Sequence, residues 1–266
     1  MNIEVLPESY RTSIESMLRL EGLSPETVAA ICEPQVLFLT DEYRNAPVQV
    51  MIVGQETRDA EKWLNEAVAE GGDAMIERQR RSFEKYDFAI AGSHDNNPFW
   101  RGYDDVCEAF GLSSRRATAW TNVSKVQLGE VIDGSFSISK LSSPAQMQIV
   151  RWQRAMARAE IEYARPDIIV WFTGGMRWMI GHLYKTNIEM IDTDVDFHRI
   201  DGAADSTGYV TAPFLGDAIS VFTYHPHAGR RGDAKLRTIR ERAAALQWSS
   251  ERYSNDRERL KLQPSG

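Results

Sequence analysis

The 266-residue sequence predicts an α/β protein with a mostly parallel sheet of four strands, covered by helices on both faces. Two observations support this fold class. Four short apolar runs, rich in β-branched residues, alternate with amphipathic helical segments. The first of them, VQVMIVG, is a short run rich in β-branched residues that ends at Gly54, which is typical of a buried strand in a parallel sheet.

The elements expected along the chain follow from these patterns. Residues 7–45 are predicted to form an N-terminal helical extension, because apolar residues recur there at helical spacing and a Ser-Pro-Glu cap begins one segment. The four strands are expected at 48–54, 117–123, 166–174 and 218–225. Helical segments are expected at 57–71, 74–91, 103–111, 143–165, 175–184 and 234–248. The stretch 93–102 is predicted to be a polar loop, 192–218 a small hairpin or insertion, and 249–266 a tail that frays.

The composition excludes several classes of protein. Two cysteines, Cys32 and Cys107, are too few for a disulfide framework or a four-thiolate cluster. The chain has no long apolar run and no secretory signal at its start. We therefore expect a single domain spanning 1–266, a cytoplasmic monomer without cofactor, metal ion or membrane contact.

The charge is distributed unevenly along the chain. The formal net charge of −7 argues against a general nucleic-acid binder. From His225 to the end, however, the balance is +5, and the rest of the chain carries −12. A basic C-terminal part on an acidic body is compatible with a local phosphate-binding face, although a solvated helix of mixed charge would give the same composition.

Polar residues follow each predicted strand at the point where it ends. They are Gln55-Glu56, Asn122, Thr173-Gly174 and His225-Pro226-His227. Because ligands of open α/β sheets bind beyond the carboxyl ends of the strands, these residues are the candidates for a functional site.

The segments VMIVGQET, NPFW, WTNVSK, PDIIVWFTGG and FTYHPHAGRR occur in an order and spacing that resemble the uracil-DNA glycosylase superfamily. The resemblance covers residues 48–245. It implies a three-layer α/β/α sandwich around a central four-stranded parallel sheet. It also implies hydrolysis of the bond between a base and its deoxyribose in DNA, single-stranded or duplex.

The chemistry of these residues suits that reaction. Cleavage of a glycosidic bond passes through an oxocarbenium-like sugar, which a carboxylate such as Glu56 can stabilise while it positions water. His225 can donate a hydrogen bond to the departing base. The Asn122 amide can bind the edge of the base, and Phe99 or Trp100 can stack on its face. Gln55 is expected to contribute to base binding as well.

Each residue also has a purely structural interpretation. Glu56 would suit the start of a helix, Asn122 a turn, and the two aromatic residues the core. His225 and His227 could belong to a metal site, but the sequence offers no third and fourth ligand, so no metal is expected. We interpret these residues as a functional site because the five segments that carry them occur together in the order typical of the family.

The sequence departs from the family pattern at three places. Glu56 replaces the usual Asp, which moves the carboxylate by about 1.5 Å; Asp59 is the alternative carboxylate. Thr57-Arg58 replaces a Pro-Tyr pair whose ring excludes 5-substituted pyrimidines in the family. His227 replaces the usual Ser, and no apolar wedge residue follows it. Residues expected to contact the DNA backbone or to set specificity are Arg58, Lys125, His227, Arg230 and Arg231.

The sequence therefore predicts a monofunctional DNA glycosylase acting on uracil or on a 5-modified cytosine of phage DNA. Its role would be base-excision repair or anti-phage defence. The alternative is a catalytically inactive, DNA-binding relative of the same fold. An unrelated α/β hydrolase is disfavoured, because the chain has no Gly-x-Ser-x-Gly elbow and no phosphate-binding Gly-rich loop.

Overall fold

A computed structural model describes residues 3–19, 21–56, 62–85, 98–129, 138, 141–173, 194–204, 207–224, 226 and 232–262. Its helices are α1 (Glu8–Leu18), α2 (Pro25–Ala30), α3 (Asp41–Arg44), α4 (Leu64–Glu70), α5 (Gly72–Lys85), α6 (Pro98–Ala109), α7 (Ser143–Ala164) and α8 (Gly232–Leu262). Its strands are β1 (Val50–Glu56), β2 (Thr118–Ser124), β3 (Ile168–Trp171), β4 (Asp196–Arg199), β5 (Gly208–Thr211) and β6 (Ile219–Phe222). None of these described helices has the length and apolar character needed to cross a membrane.

The six strands form one sheet in the order β2-β1-β3-β6-β5-β4. The first four of these are parallel neighbours, and they are the four strands that the apolar runs predict. β4 and β5 form an antiparallel hairpin that extends the sheet beyond β6. The expected number of strands is therefore too low by two, because the turn-rich stretch 192–218 joins the sheet as a hairpin.

Helices cover both faces of this sheet, as the α/β/α prediction requires. Along β1, Met51 and Val53 face a core that includes residues of α1, α4, α5 and α7. Val50 and Ile52 face the opposite core, with residues of α6 and α8. Since side chains alternate along a strand, a continuous apolar run supplies both cores at once.

The N-terminal region is only partly helical. The helical prediction for 7–45 is correct over α1, α2 and α3, but it is wrong over 31–40, which is extended. In this segment the Cys32 amide donates to the Gln127 carbonyl at 2.9 Å, and the Gln35 amide to the Lys125 carbonyl at 2.8 Å. The backbone finds its partners on the chain that follows β2 rather than within a helix turn, which is why local periodicity is misleading here.

The C-terminal tail does not fray where the sequence predicts. α8 continues as one helix of 31 residues to Leu262. Ser249 is fully buried, and the Tyr253 hydroxyl donates to the Pro47 carbonyl at 3.3 Å. These contacts hold the second half of α8 against the amino-terminal end of the parallel strands, although its composition is polar.

The buried tyrosines predict sensitivity to alkali. Burial raises the pKa of Tyr10, Tyr43, Tyr103 and Tyr163 above the ordinary phenol value. Above pH 10 the unfolded chain therefore loses phenolic protons that the folded chain keeps, and the free energy of unfolding falls as the pH rises, by up to about 1.4 kcal/mol per pH unit and tyrosine. Denaturant titrations between pH 9 and 11.5, with phenolate absorbance as a second signal, should show ionisation of these four side chains only on unfolding. Their titration near pH 10 in the folded protein would contradict the burial.

Candidate functional site at the carboxyl end of the parallel sheet

The site is centred on the paired residues Gly54 and Asn122, at the carboxyl ends of β1 and β2. Asn122 is 4% exposed. A Cβ atom added at Gly54 would lie only 2.1 Å from the Asn122 Oδ1 atom. Any side chain at position 54 would displace the amide, so the glycine provides the room in which Asn122 extends across β1.

The Phe99 side chain, on α6, also lies close to Gly54. Its Cε2 atom lies 3.7 Å from the Cβ position of Gly54. Its ring packs edge-on against Phe172, with 6.2 Å between the ring centroids, and the side chain is partly exposed. An aromatic ring therefore lies close to the Asn122 amide at the end of the sheet.

Trp100 has a different position from Phe99. The expected polar loop at 93–102 is wrong from Pro98 onward, where α6 begins, so both rings lie on the first helical turn about 100° apart. Trp100 is 4% exposed and lies in the core, with the Arg115 guanidinium over its ring. Of the two aromatic candidates for base stacking, Phe99 is the one that is partly exposed and reaches the Gly54 position.

The orientation of the Asn122 amide is set by a residue that the sequence did not single out. The Asn122 Nδ2 atom donates to the Gln35 Oε1 atom at 2.7 Å. Gln35 lies in the extended segment 31–40, which the sequence pattern assigned to a helix. No local pattern identifies it, because its role depends on a contact across 87 residues of chain.

The ends of β3 and β6 lie beside this centre. The Gln55 Nε2 atom donates to the Thr173 carbonyl at 3.3 Å, which joins β1 to the end of β3. Pro226, from the His-Pro-His sequence after β6, is buried. A Cβ atom added at Gly102 would lie 2.5 Å from the Pro226 Cγ atom. Pro226 thus packs on α6 one turn beyond Phe99.

Several predicted site residues lie outside the described residues. They are Arg58, Asp59, His225, His227, Arg230 and Arg231. Of Glu56 only the backbone is described; it ends β1 in register with Ser124. The chain neighbours of His225, Tyr224 and Pro226, are both described.

The prediction that Lys125 contacts a DNA phosphate is wrong. Lys125 and Glu160 are both 0% exposed and form an ion pair within the core. The Lys125 ammonium also donates to the Thr121 hydroxyl. Tyr10 donates to Glu160 Oε1 at 2.6 Å, and Thr121 donates to Oε2 at 2.8 Å. Burial lowers the pKa of Lys125 and raises that of Tyr10.

Other cations lie near the mouth of the site. The Arg237 guanidinium, on the first turns of α8, lies over the Tyr224 ring at 5.7 Å from its centroid. Lys235 and Arg240 are exposed on the same stretch of helix. Among the described residues, none of the three cations has a carboxylate partner. Arg237 and Arg240 are three residues apart and lie on the same side of the helix, whereas Lys235, two residues before Arg237, points to another side. We call Arg237 and Arg240 the basic face of α8.

The described residues contain no group of three or more His, Cys, Asp or Glu side chains that could hold a metal ion. The chain matches no protein-family model and no curated protein sequence. What the site can do therefore follows from its own chemistry. A buried amide offers a donor and an acceptor, and an adjacent aromatic ring offers a flat apolar face.

Because Lys125 and Glu160 form a buried ion pair, the stability losses caused by mutating them should not be additive. Lys125→Met leaves the Glu160 carboxylate uncompensated and should lower the free energy of unfolding by about 3–5 kcal/mol. Combining it with Glu160→Gln removes both charges, so the double variant should lose less than the sum of the single variants. Denaturant unfolding of the four proteins measures the coupling. A Lys125→Met variant with unchanged stability but weaker DNA binding would restore the phosphate-contact interpretation.

Proposed function

We propose that this protein is a DNA glycosylase that hydrolyses the N-glycosidic bond of a flipped-out pyrimidine and leaves an abasic site. The observation that carries the proposal is the convergence of Asn122 and Phe99 on Gly54, beside the strand that ends in Glu56. An extruded base needs hydrogen-bonding groups for its edge and an aromatic surface for its face. Asn122 supplies the first and Phe99 the second.

Glu56 and His225 would carry out the bond cleavage. The Glu56 carboxylate positions the attacking water and stabilises the positive charge that develops on the sugar. His225 donates a hydrogen bond to the base as it leaves with negative charge. Support for these roles comes from their neighbours: the Glu56 backbone is two residues beyond Gly54 on β1, and Pro226 packs on the helix that carries Phe99.

The proposed enzyme is monofunctional, with water as the nucleophile. A glycosylase that also cleaves the strand uses an amine to form a Schiff base with the sugar. Lys125 follows Asn122 closely in sequence, but its ammonium is buried and paired with Glu160. This supports hydrolysis to an abasic site rather than strand cleavage.

The substrate is a uracil or a pyrimidine with a substituent at C5. Thr57-Arg58 stands where the resembling family has a Pro-Tyr pair whose ring blocks that position. The absence of that ring from the sequence is what favours a pyrimidine with a C5 substituent, such as a hypermodified cytosine of phage DNA. Excision of uracil would indicate a role in repair, and excision of a phage base would indicate defence.

Base release from defined oligonucleotides tests the proposal. Duplex and single-stranded DNA would carry uracil, thymine, 5-hydroxymethylcytosine or its glucosylated form, and hot alkali would reveal abasic sites. We expect cleavage with at least one of these bases, and Glu56→Gln should slow it by about 100-fold or more. The matched control is Glu162→Gln, which removes an exposed carboxylate on α7 and should leave the rate unchanged.

The alternative is a catalytically inactive protein that binds DNA with the same fold. It would be favoured if the wild type and Glu56→Gln were equally silent on every base while both bound DNA. Cleavage of uracil alone would exclude the 5-modified substrate but not the glycosylase activity.

The basic face of α8 is the surface on which we place the DNA backbone, in place of Lys125. Its cations are exposed and lack carboxylate partners within the described part of the chain. Arg237 lies over Tyr224, the residue that directly precedes His225. A strand bound along this face would therefore pass the end of β6. Leu236 and Ile239, which are 53% and 42% exposed, add apolar contact area to the same turns.

Neutralising this face should weaken DNA binding in a salt-dependent way. Arg237→Gln combined with Arg240→Gln should raise the Kd and reduce the slope of log K against log salt by about 0.7–0.9 for each phosphate that the protein no longer neutralises. The control is Arg257→Gln. Arg257 lies over Tyr253 much as Arg237 lies over Tyr224, but it is about 30 Å further along α8. If the wild type, the double variant and Arg257→Gln had equal salt slopes, the basic face of α8 would not contact the DNA backbone.

A further inference from the structure

The orientation of the Asn122 amide depends on Gln35. Asn122 is buried, and its Nδ2 atom donates to Gln35 Oε1 at 2.7 Å. Among the described residues, no other group forms a hydrogen bond with the Gln35 side chain. The Gln35 side-chain amide, which orients Asn122, thus has no second hydrogen-bond partner among the described residues.

The backbone of Gln35, in contrast, is held firmly. Its amide donates to the Lys125 carbonyl at 2.8 Å, and the next amide, of Val36, donates to Gln79 Oε1 at 3.0 Å. Lys125 is in turn anchored in the core by Glu160. The position of Gln35 is therefore constant, and the remaining freedom lies in which way round its terminal amide points.

Two facing amides can reverse together without losing their hydrogen bond. In the observed arrangement Asn122 donates and Gln35 accepts. After a half-turn of both groups, the Gln35 nitrogen would donate to the Asn122 oxygen over the same distance. Each amide has one oxygen acceptor and one nitrogen donor whose heavy atoms are nearly equal in size, so the exchange preserves the hydrogen bond between the two side chains.

The two arrangements suit different bases. Uracil and thymine present a donor at N3 beside an acceptor at O4, whereas cytosine and its 5-substituted forms present an acceptor at N3 beside a donor at N4. In one fixed position of the base, the first pattern needs the Asn122 oxygen opposite N3, and the second needs the Asn122 nitrogen there.

We propose that Gln35 is a specificity-determining positioning residue, whose joint reversal with Asn122 allows one pocket to bind either the uracil or the cytosine pattern. The inference rests on the proposed function, since it concerns base binding at the same site. It explains how a single buried amide can serve a site whose substrate is a uracil or a modified cytosine.

Gln35→Glu tests this directly. A carboxylate only accepts, so the Asn122 nitrogen must face residue 35 and a single orientation remains. The measurement is the Kd for two oligonucleotides that contain an uncleavable 2′-fluoro nucleotide, one with uracil and one with 5-hydroxymethylcytosine. We expect the ratio of the two Kd values to change by about tenfold or more, the effect of about 1.4 kcal/mol.

Two controls separate specificity from structure. Gln79→Glu places the same charge on another side chain that holds the segment 34–36, but it does not contact Asn122; its ratio should equal that of the wild type. In Gln35→Glu, lowering the pH until the new carboxyl is protonated restores a donor, so the ratio should move back toward the wild-type value.

The possible results are distinct. A changed ratio in Gln35→Glu, with an unchanged ratio in Gln79→Glu, supports the inference. If both Kd values in Gln35→Glu change by the same factor, Gln35 is only structural and the inference is overturned. Because the readout is binding, it does not depend on base release, which tests the glycosylase proposal separately.

Discussion

The buried ion pair between Lys125 and Glu160 is the interaction on which the arrangement of the site depends. Removing two charges from water costs several kcal/mol for each ion unless hydrogen bonds satisfy them. Here Tyr10 and Thr121 complete the shell of Glu160, so α1, β2 and α7 are bound to a single carboxylate. The Tyr10 hydroxyl also accepts from the Leu37 amide at 2.8 Å, which brings in the extended segment 31–40.

This network fixes Asn122 from both sides along the chain. Thr121 precedes it and Lys125 follows it three residues later, and both side chains lie in the same buried cluster. The network thereby determines where the amide stands, while Gln35 determines which of its atoms faces outward. Position and chemical polarity at the candidate site are thus controlled by separate groups, one charged and rigid and the other neutral and reversible.

The sequence predicts the parts of the fold that depend on local patterns. The four parallel strands follow from short apolar runs, because strands that are buried on both faces carry few polar side chains. The pattern fails at 31–40, where the backbone pairs with the chain after β2, and at the tail, where Tyr253 attaches α8 to Pro47, just before β1. These contacts join distant stretches of chain, so no window of sequence contains them.

At the candidate site, too, the sequence predicts what depends on local patterns and misses what depends on contacts between distant residues. Gln55 and Asn122 are identifiable because each lies at the end of an apolar run. The burial of Lys125 cannot be predicted, since its partner Glu160 is 35 residues away on a helix. Phe99 and Trp100 are adjacent in sequence, but the helix that begins at Pro98 turns them in different directions. Local patterns thus identify candidate residues, whereas tertiary contacts determine which of them come together.

The β4–β5 hairpin alters the outermost strand of the sheet. Without it, the apolar strand β6 would present unpaired backbone groups to other molecules, and such edges promote aggregation by strand addition. With it, the outermost strand at that end is β4, four residues long, with exposed Asp196 and Arg199 at its ends. A short strand bearing charge at both ends is a poor template for a second chain. The insertion thus protects the folded protein against edge-to-edge association at high concentration.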